Sequence, residues 1–228
     1  MNWVINFFKS SIGRKVIMSL TGLFLIIFLI VHLAGNLSLL NNDGGDVFNA
    51  YAYFMTTNPL IKTVSWGLYF FILLHAVQGI VIWLSNKNAK GGKYAVQTKD
   101  NASWASKNMA MLGILIFAFL CIHMGDFWFK MKFTESLPLV DVSAYDFPVK
   151  DLYGRVYAAY SELWIVIVYL VGLVALAFHL LHGFESAFET LGLKHKKYTP
   201  LIKFLGKAYG ILVPLGFAII PIYVYFFK

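Results

Sequence analysis

Five long apolar stretches take up most of this chain, and they constrain its fold more than any other feature. They cover residues 14–36, 61–84, 107–129, 158–188 and 203–227. A bilayer core about 30 Å thick is crossed by a helix of about 20 apolar residues. Only 13% of the chain is charged, against about a quarter in soluble domains. The sequence therefore predicts an all-α fold: an integral membrane bundle of five transmembrane helices, in a single domain over residues 1–228.

The cysteine content excludes several kinds of site. Cys121 is the only cysteine, so the chain has no intrachain disulfide, and neither a thiolate-bound zinc ion nor a cysteine-ligated iron–sulfur cluster is expected. The first apolar stretch is too long for a signal-peptide core and contains His32, so we expect it to be retained as a membrane anchor.

Basic residues are distributed unequally between the two sides of the predicted bundle. The N-terminal segment, the second connection with the start of the third helix, and the region between the fourth and fifth helices carry three, five and five Lys or Arg residues, against six on the opposite side. The positive-inside rule then predicts a cytoplasmic N-terminus. The formal charge of +8 is accordingly attributed to orientation in the membrane, and no nucleic-acid partner is expected. The amphipathic start, residues 1–11, is expected to lie in the lipid interface.

Prolines and glycines mark the irregular segments. Pro138 and Pro148 argue against one helix through residues 130–157, although a short surface helix fits between them. Pro214 and Pro221 should kink the fifth helix. The Gly-Gly-Lys sequence at 91–93 lacks a preceding strand and the rest of a phosphate-loop motif, so no nucleotide site is predicted there.

Five of the six histidines lie in the predicted spans: His32, His75, His123, His179 and His182. An ionisable group at membrane depth is costly and is by default a functional hypothesis, although one such histidine fits a structural hydrogen bond equally well. Here four different helices each contribute at least one, among glycines and apolar or aromatic side chains. Paired imidazoles between apolar walls are typical of haem b, whereas metal-ion sites more often include carboxylates or thiols. The pattern favours haem.

Depth along the helices pairs the histidines. His32 lies eighteen residues after Arg14 on an outward-running helix, about 27 Å from that inner charge. His123 lies three residues before an aspartate near the outer end of the third helix. His179 lies six residues before an inner-side glutamate, about 9 Å along the axis, and His75, central by count, is paired with His179 by elimination. We expect one haem toward each side of the membrane.

Neighbouring glycines distinguish the two histidines of the fourth helix. Gly79 follows His75 and Gly183 follows His179 at position +4, close to the same helix face, where glycine removes bulk beside the ring. His182 has a serine at that position. The two histidines are only about 4.5 Å apart along the axis, so they cannot each serve a different haem. We therefore assign His179 as the ligand and expect His182 to be a hydrogen-bonded residue beside the inner haem or its propionates.

The histidine motifs resemble those of a known family. They are VHLAGN (31–36), DVFNAYAYFMTTNP (46–59), LLHAVQGI (73–80), CIHM (121–124) and FHLLHGFESAFETLG (178–192). In this order, over essentially the whole chain, they resemble the five-helix, dihaem cytochrome b membrane anchor of succinate dehydrogenase and fumarate reductase. The most specific part is a ligand histidine with glycine at +4 and +13, matched by His179, Gly183 and Gly192. The resemblance implies four axial ligands: His32, His75, His123 and His179.

The resemblance also implies partners and substrates. Such an anchor binds a flavoprotein subunit and an iron–sulfur subunit at the cytoplasmic face of a bacterial inner membrane. It passes electrons between succinate or fumarate and a quinone, usually menaquinone. The dicarboxylate site lies outside the anchor, so no catalytic residue is assigned to this chain. Family members place polar residues near the inner haem's propionates at the start of the first helix, and Arg14 and Ser19 are their counterparts here. Some fumarate reductases have a proton-carrying glutamate where this chain has Ala177, so the resemblance does not extend to that proton route.

Two alternatives remain open on the sequence. One is the cytochrome b subunit of another quinone-linked dehydrogenase; many of these place two histidines 13 or 14 residues apart on one helix to reach haems roughly 20 Å apart, a spacing that no span of this sequence has. The other is a non-haem transporter that uses the histidines for ions. The absorption bands of reduced haem b distinguish the transporter from both cytochromes.

Overall fold

The computed structural model describes residues 2–89 and 104–228, and most of them are helical. The α-helices are α1 (Asn2–Lys9), α2 (Ser11–Asn36), α3 (Asp46–Thr57), α4 (Pro59–Ala89), α5 (Trp104–Lys107), α6 (Met109–His123), α7 (Lys130–Phe133), α8 (Leu152–Tyr160), α9 (Leu163–Thr190) and α10 (Thr199–Phe227). A 3-10 turn, Leu37–Leu40, extends α2, and a π-helical segment, Met124–Phe129, joins α6 to α7. Lys90, Lys93, Lys99 and the Gly-Gly-Lys sequence of the second connection lie outside the described residues.

Five helical segments are long and apolar enough to cross a membrane. They are Ser11–Leu40, Pro59–Asn88, Met109–Phe133, Leu163–Thr190 and Thr199–Phe227. The shortest has 25 residues, which at about 1.5 Å per residue is longer than the bilayer core is thick. The predicted fold class, an all-α bundle of five membrane-length helices, is confirmed. The last of them continues as one helix through both of its prolines.

The start of the fourth span differs from the prediction. The sequence predicts a helix from about residue 158, but residues 158–160 belong to α8 and α9 begins at Leu163. The chain breaks at Ser161 and Glu162: Glu162 has an extended backbone (φ −93°, ψ 113°), and the Ser161 hydroxyl donates to the Tyr157 carbonyl at 2.9 Å. The last turn of α8 is apolar enough to extend the hydropathy signal, so the prediction of an unbroken helix from 158 is wrong.

The connection between the third and fourth spans contains a β-hairpin. Strand β1 (Leu139–Val140) pairs antiparallel with β2 (Val149–Lys150), with Leu139 opposite Lys150. Pro138 and Pro148 each stand directly before a strand, a position that proline tolerates because no ladder hydrogen bond is needed from its nitrogen. The short surface helix that the sequence allowed between these prolines is therefore wrong.

Helix α9 lies at the centre of the bundle and packs against α2, α6 and α10, whereas α4 packs mainly against α2. Glycines let α10 approach α9 closely: a Cβ added at Gly210 would lie 3.0 Å from the side chain of Leu181, and one at Gly206 would lie 2.9 Å from that of Phe184. Small residues four positions apart are common where membrane helices pack tightly. No side chain described for α4, over residues 59–88, is fully buried, so α4 is the least buried of the five membrane-length helices among the described residues.

The two ends of the bundle differ. At the capped end, residues 37–58 and 134–162 cover the helix termini. Asn49, only 2% exposed, holds this cap together, because its Nδ2 donates to Asp151 Oδ1 and its Oδ1 accepts from the Tyr153 amide, both at 2.8 Å. A cluster of mutually packed, buried apolar side chains lies at this end too.

The opposite, basic end comprises residues 2–15, 84–89, 104–108 and 191–207. The six basic residues that the sequence assigns to the other side all lie at the capped end: Lys62, Lys130, Lys132, Lys150, Arg155 and Lys228. The division of charge therefore follows the two ends of the fold. The cytoplasmic orientation of the N-terminus stays a prediction.

Helix α9 ends at the last glycine of the fourth-helix motif. Gly192 has a φ of +76°, in the left-handed region that side chains rarely adopt. Its amide donates to the Glu189 carbonyl at 3.1 Å, and the Leu193 amide donates to the Phe188 carbonyl at 3.0 Å. This is the Schellman pattern that terminates helices. A glycine at position 192 is therefore explained by helix termination, independently of any cofactor.

Candidate functional site: two histidine pairs between the helices

Four helices bring four histidines together in two pairs. The ring centroids of His32 on α2 and His123 at the end of α6 are 5.8 Å apart, and those of His75 on α4 and His179 on α9 are 6.1 Å apart. These are the pairings that the depth argument gives. The role of the four residues as metal ligands stays a prediction.

The ring separations suit a shared metal. Two imidazole nitrogens on opposite sides of one metal ion, each about 2 Å from it, place the ring centroids about 6 Å apart. The ring planes cross at 89° in the first pair and 64° in the second, so neither pair is stacked face to face. Both pairs therefore have a ring separation that is compatible with two imidazoles on one metal ion, and that two rings in direct edge-to-face contact also have.

The two pairs lie at different depths. Thr21 Oγ1 is 3.0 Å from His75 Nδ1, and His32 follows Thr21 by eleven residues on the same helix, about 16 Å along the axis. On the third span, Gly113 lies beside His179, and His123 follows it by ten residues, about 15 Å. Two independent helices thus give the same separation, with the His32 pair toward the capped end and the His75 pair toward the basic end.

Hydrogen bonds hold three of the four rings through Nδ1. Thr21 holds His75 as described, Asn36 Nδ2 lies 3.3 Å from His32 Nδ1, and Tyr169 Oη lies 3.3 Å from His123 Nδ1. A hydroxyl that accepts from Nδ1–H, as Thr21 and Tyr169 can, fixes the orientation of a metal-ligating histidine and leaves Nε2 for the metal. Asn36 Nδ2 is an amide donor and cannot accept from His32 Nδ1. His179 Nδ1 is buried without a partner among the described residues. A buried polar atom without a partner requires an explanation, and a group bound beside this ring would supply one.

Aromatic side chains surround the capped-end pair. Phe28 stacks on His32 at 5.1 Å between ring centroids, and Phe217 lies 5.5 Å from the same ring. Phe119 and Phe127 lie 5.9 and 5.5 Å from the His123 ring. These rings give the capped-end pair apolar, aromatic neighbours.

The third span changes from α-helical to π-helical hydrogen bonding directly after His123. Residues Met124–Phe129 are π-helical, and His123 is the residue that precedes this segment. Within it, Asp126 forms ion pairs with Lys130 at 2.7 Å and with Arg155 of α8. π-helical turns in membrane and soluble proteins often occur at functional sites. The sequence analysis missed this feature, because an apolar helix of this length carries no local signal for a change from α- to π-hydrogen bonding.

Glycines contact the basic-end rings, but they come from neighbouring helices. A Cβ added at Gly22 of α2 would lie 3.3 Å from His75 Cε1, and one at Gly113 of α6 would lie 4.0 Å from His179 Cε1. The predicted glycines lie elsewhere: Gly79 faces Met18 at 3.4 Å, and Gly183 has no atom within 4 Å of its added Cβ. The open space beside Gly183 is compatible with a bulky group beside α9, and its binding role stays a prediction.

The remaining predicted residues lie toward the basic end. Arg14 Nη1 donates to Ser85 Oγ at 3.2 Å and so ties α2 to α4. Ser19 is buried, with 6% exposure, and its hydroxyl donates to the Lys15 carbonyl at 3.0 Å. His182 is half-buried, one turn closer to the basic end than His179. The binding roles of Arg14, Ser19 and His182 stay predictions.

A groove of about 310 Å³, which was not predicted from the sequence, lies next to the capped-end pair. Gly125, Asp126, Arg155, Trp164 and Tyr169 are among the residues that line it. Arg155 Nε is buried there without a hydrogen-bond partner among the described residues. Burial raises the pKa of the neighbouring Tyr160 phenol, so Tyr160 is a neutral hydroxyl at physiological pH.

The donor set limits the chemistry. Within residues 2–89 and 104–228, no group of three or more His, Cys, Asp or Glu side chains is placed to hold a metal ion. A protein-bound zinc ion takes three or four side-chain ligands, whereas a haem iron, held by its porphyrin, needs one or two. Two imidazoles at about 6 Å, with apolar walls, are therefore the environment that fits haem iron.

No protein-family model matches the chain, and comparisons with curated proteins and with solved structures give no match either. The functional inference accordingly depends on the geometry of the two histidine pairs and on the motif resemblance.

Proposed function

We propose that this chain is a dihaem cytochrome b that anchors a succinate:quinone oxidoreductase in the membrane. The observation that carries the proposal is the placing of four histidines from four membrane-length helices in two pairs, each with ring centroids about 6 Å apart. The alternative of a metal-ion transporter has less support, because each pair offers only two protein ligands.

In this proposal each residue has a defined task. When bound, haem supplies one-electron transfer through the ferric and ferrous states of its iron. His32 with His123, and His75 with His179, hold the two irons. Thr21 and Tyr169 orient their histidine rings, and the surrounding phenylalanines exclude water. The separation of about 15 Å along the axis spaces the two centres across the bilayer.

The proposed partners follow from the motif resemblance and from the charge of the basic end. A flavoprotein and an iron–sulfur subunit would dock at this end, and electrons would pass between them and a membrane quinone, with menaquinone as the expected type. Lys196 and Lys197 are exposed there, and lysines of this kind favour association with acidic surfaces. The dicarboxylate chemistry would belong to the flavoprotein and not to this chain.

The test of the haem assignment is spectroscopic. The full chain is produced in a haem-synthesising bacterium, purified in detergent, and examined by reduced-minus-oxidised absorption and by haem content per polypeptide. We expect b-type bands and two haems per chain. A colourless, folded protein would refute the proposal, and metal-ion binding by such a protein would favour the transporter.

A second experiment tests the kind of complex. Reduction of the haems by succinate in membranes, with co-purification of a flavoprotein and an iron–sulfur subunit, is expected for this anchor. Reduction by hydrogen or formate instead would identify another quinone-linked dehydrogenase. The double change Lys196→Glu, Lys197→Glu should weaken co-purification, whereas Lys62→Glu at the capped end is the matched control and should leave it intact.

A further inference from the structure

Tyr169 joins the capped-end histidine pair to a polar chain that leads toward the cap. It lies on α9, is 4% exposed, and places its hydroxyl 3.3 Å from His123 Nδ1. Its ring centroid is 6.0 Å from that of His123. Tyr169 lies in none of the sequence motifs. Its contact with His123 could not be seen in the sequence, because His123 is on a different helix and 46 residues earlier in the chain.

The chemistry of a bound imidazole fixes the direction of this hydrogen bond. A neutral histidine that ligates a metal through Nε2 carries its proton on Nδ1. His123 must then donate, and the Tyr169 oxygen must accept. The phenol proton of Tyr169 is left for another acceptor.

The Tyr160 phenol is the neighbour placed to take that proton. Its ring lies edge-on to that of Tyr169, with ring centroids 5.0 Å apart. Tyr160 is itself buried, with 7% exposure. With its proton directed to Tyr160, the Tyr169 oxygen would be a stronger acceptor for His123.

Of the other three histidines, His75 has a comparable partner. The Thr21 hydroxyl donates to the backbone carbonyls of Ile17 and Met18 one turn earlier on its helix, so toward His75 Nδ1 it accepts. His32 Nδ1 faces Asn36 Nδ2, which is a donor, and His179 Nδ1 has no partner among the described residues. Each pair therefore has one histidine with a hydroxyl acceptor, and at the capped end that hydroxyl belongs to a phenol packed against a second phenol.

We infer that Tyr169 is a positioning residue for His123 that lowers the reduction potential of the capped-end haem. This inference rests on the proposed function. An acceptor at Nδ1 raises the basicity of the ligand, and a more basic ligand stabilises the ferric over the ferrous state of the iron.

The variant Tyr169→Phe removes only the hydroxyl. In the purified full chain we expect two haems to remain and one of the two midpoint potentials to rise. A tenfold change in the oxidation equilibrium corresponds to about 59 mV for a one-electron couple, and we expect a shift of this order. In a His179→Ala background, which keeps only the capped-end haem, the same shift should appear, and this assigns it to that haem.

Two further variants keep the inference falsifiable. Tyr160→Phe should raise the same potential by a smaller amount, because it removes only the second link. Tyr209→Phe is the matched control: its hydroxyl donates to the Ile26 carbonyl at 2.6 Å, so both potentials should stay unchanged. Two unshifted potentials in Tyr169→Phe would overturn the inference and leave the dihaem assignment standing, whereas a parent chain without haem would refute the proposed function itself.

Discussion

The histidine pair at the capped end and the pair at the basic end differ in what surrounds each ring. At the capped end, phenylalanines lie close to both rings and each Nδ1 has a partner. At the basic end, glycines of neighbouring helices lie beside both rings, and only His75 has an Nδ1 partner. Phenylalanine side chains fill the space around the first pair, whereas glycines, which have no side chain, leave space beside the second pair.

The difference follows the architecture of the two ends. The capped end carries α3, the hairpin and α8, which are locked by buried Asn49, whereas the described part of the basic end is exposed and positively charged. The predictions below test this contrast, from the largest expected effect to the smallest.

Loss of a single ligand should remove one haem and spare the other. His123→Ala should leave only the basic-end haem, and His179→Ala only the capped-end haem, so that haem content falls from two per chain to one in each variant. His182→Ala is the matched control and should keep both. Equal haem loss in the His179 and His182 variants, measured per polypeptide, would contradict the choice of ligand.

Added bulk beside a basic-end ring should also be selective. In Gly22→Leu the new side chain starts 3.3 Å from His75 Cε1, and a larger group there must displace the ring or the helix. We expect loss of the basic-end haem while the capped-end haem remains. Gly67→Leu, on the same helix as His75 but with no atom within 4 Å of its added Cβ, is the control. Retention of both haems in Gly22→Leu would show that the helices at the basic end can accommodate the leucine, which would contradict this prediction.

Loss of the Asn49 side chain should weaken the capped end alone. Asn49→Ala removes two buried hydrogen bonds. It leaves the Tyr153 amide without this partner, at a cost of about 1–3 kcal/mol, whereas Asp151 Oδ1 keeps the bond from the Gly154 amide. Limited proteolysis should then cut residues 134–151 faster, with the basic-end haem unaffected. Asn42→Ala, at an exposed position of the same end, is the control. An unchanged cleavage rate in Asn49→Ala would contradict the proposed structural role of Asn49.

The smallest expected effect is on the pH dependence of the cap. Asp46 accepts hydrogen bonds from the hydroxyl and the amide of Ser143, both at 2.6 Å, and these hold the pKa of its carboxyl below the ordinary value of about 4. Because the folded-state pKa is lowered, this contribution to stability is complete above about pH 4 and is lost as the pH falls through the folded-state pKa. The protection factor of the Ser143 amide, which is its hydrogen exchange relative to the intrinsic rate at the same pH, should therefore fall below pH 4 in the parent.

The variant Asp46→Asn checks the origin of this pH dependence. It should exchange faster at neutral pH and show a weaker dependence on pH in the acid range, because position 46 no longer titrates. Asp146→Asn, in the same connection, should behave as the parent. Identical acid profiles for the parent and Asp46→Asn would assign the effect to another group.

Much of the fold could be predicted from hydropathy, and the errors have specific causes. Long apolar stretches located all five spans, because bilayer thickness sets a length that few soluble helices reach. The break at Ser161 and Glu162 was missed, since α8 ends in apolar residues that continue the signal. The hairpin was missed too, because strands of two residues are too short for an alternating pattern.

The sequence predicted the depth of the histidines in the membrane, but not the residues that contact each ring. Along a helix, each residue adds about 1.5 Å, so distance from flanking charges was enough to give the pairs His32–His123 and His75–His179. The neighbours of each ring, including Thr21, Tyr169, Gly22 and Gly113, were not found. Lipid-facing and packed surfaces of a membrane helix are both apolar, so the hydrophobic periodicity that marks the buried face of a soluble helix is weak.

The sequence by itself determined that this chain crosses a membrane five times and that its histidines occupy two levels, because hydrophobic length and helical rise are local properties. Only the tertiary structure decided how far each helix is rotated about its axis, and therefore which hydroxyl, phenol or glycine meets each imidazole. Rotation is set by close packing and hydrogen bonding between helices that are distant in the chain. The tertiary structure also decided that the His32–His123 pair lies toward the cap held by Asn49 and that the His75–His179 pair lies toward the exposed, basic end.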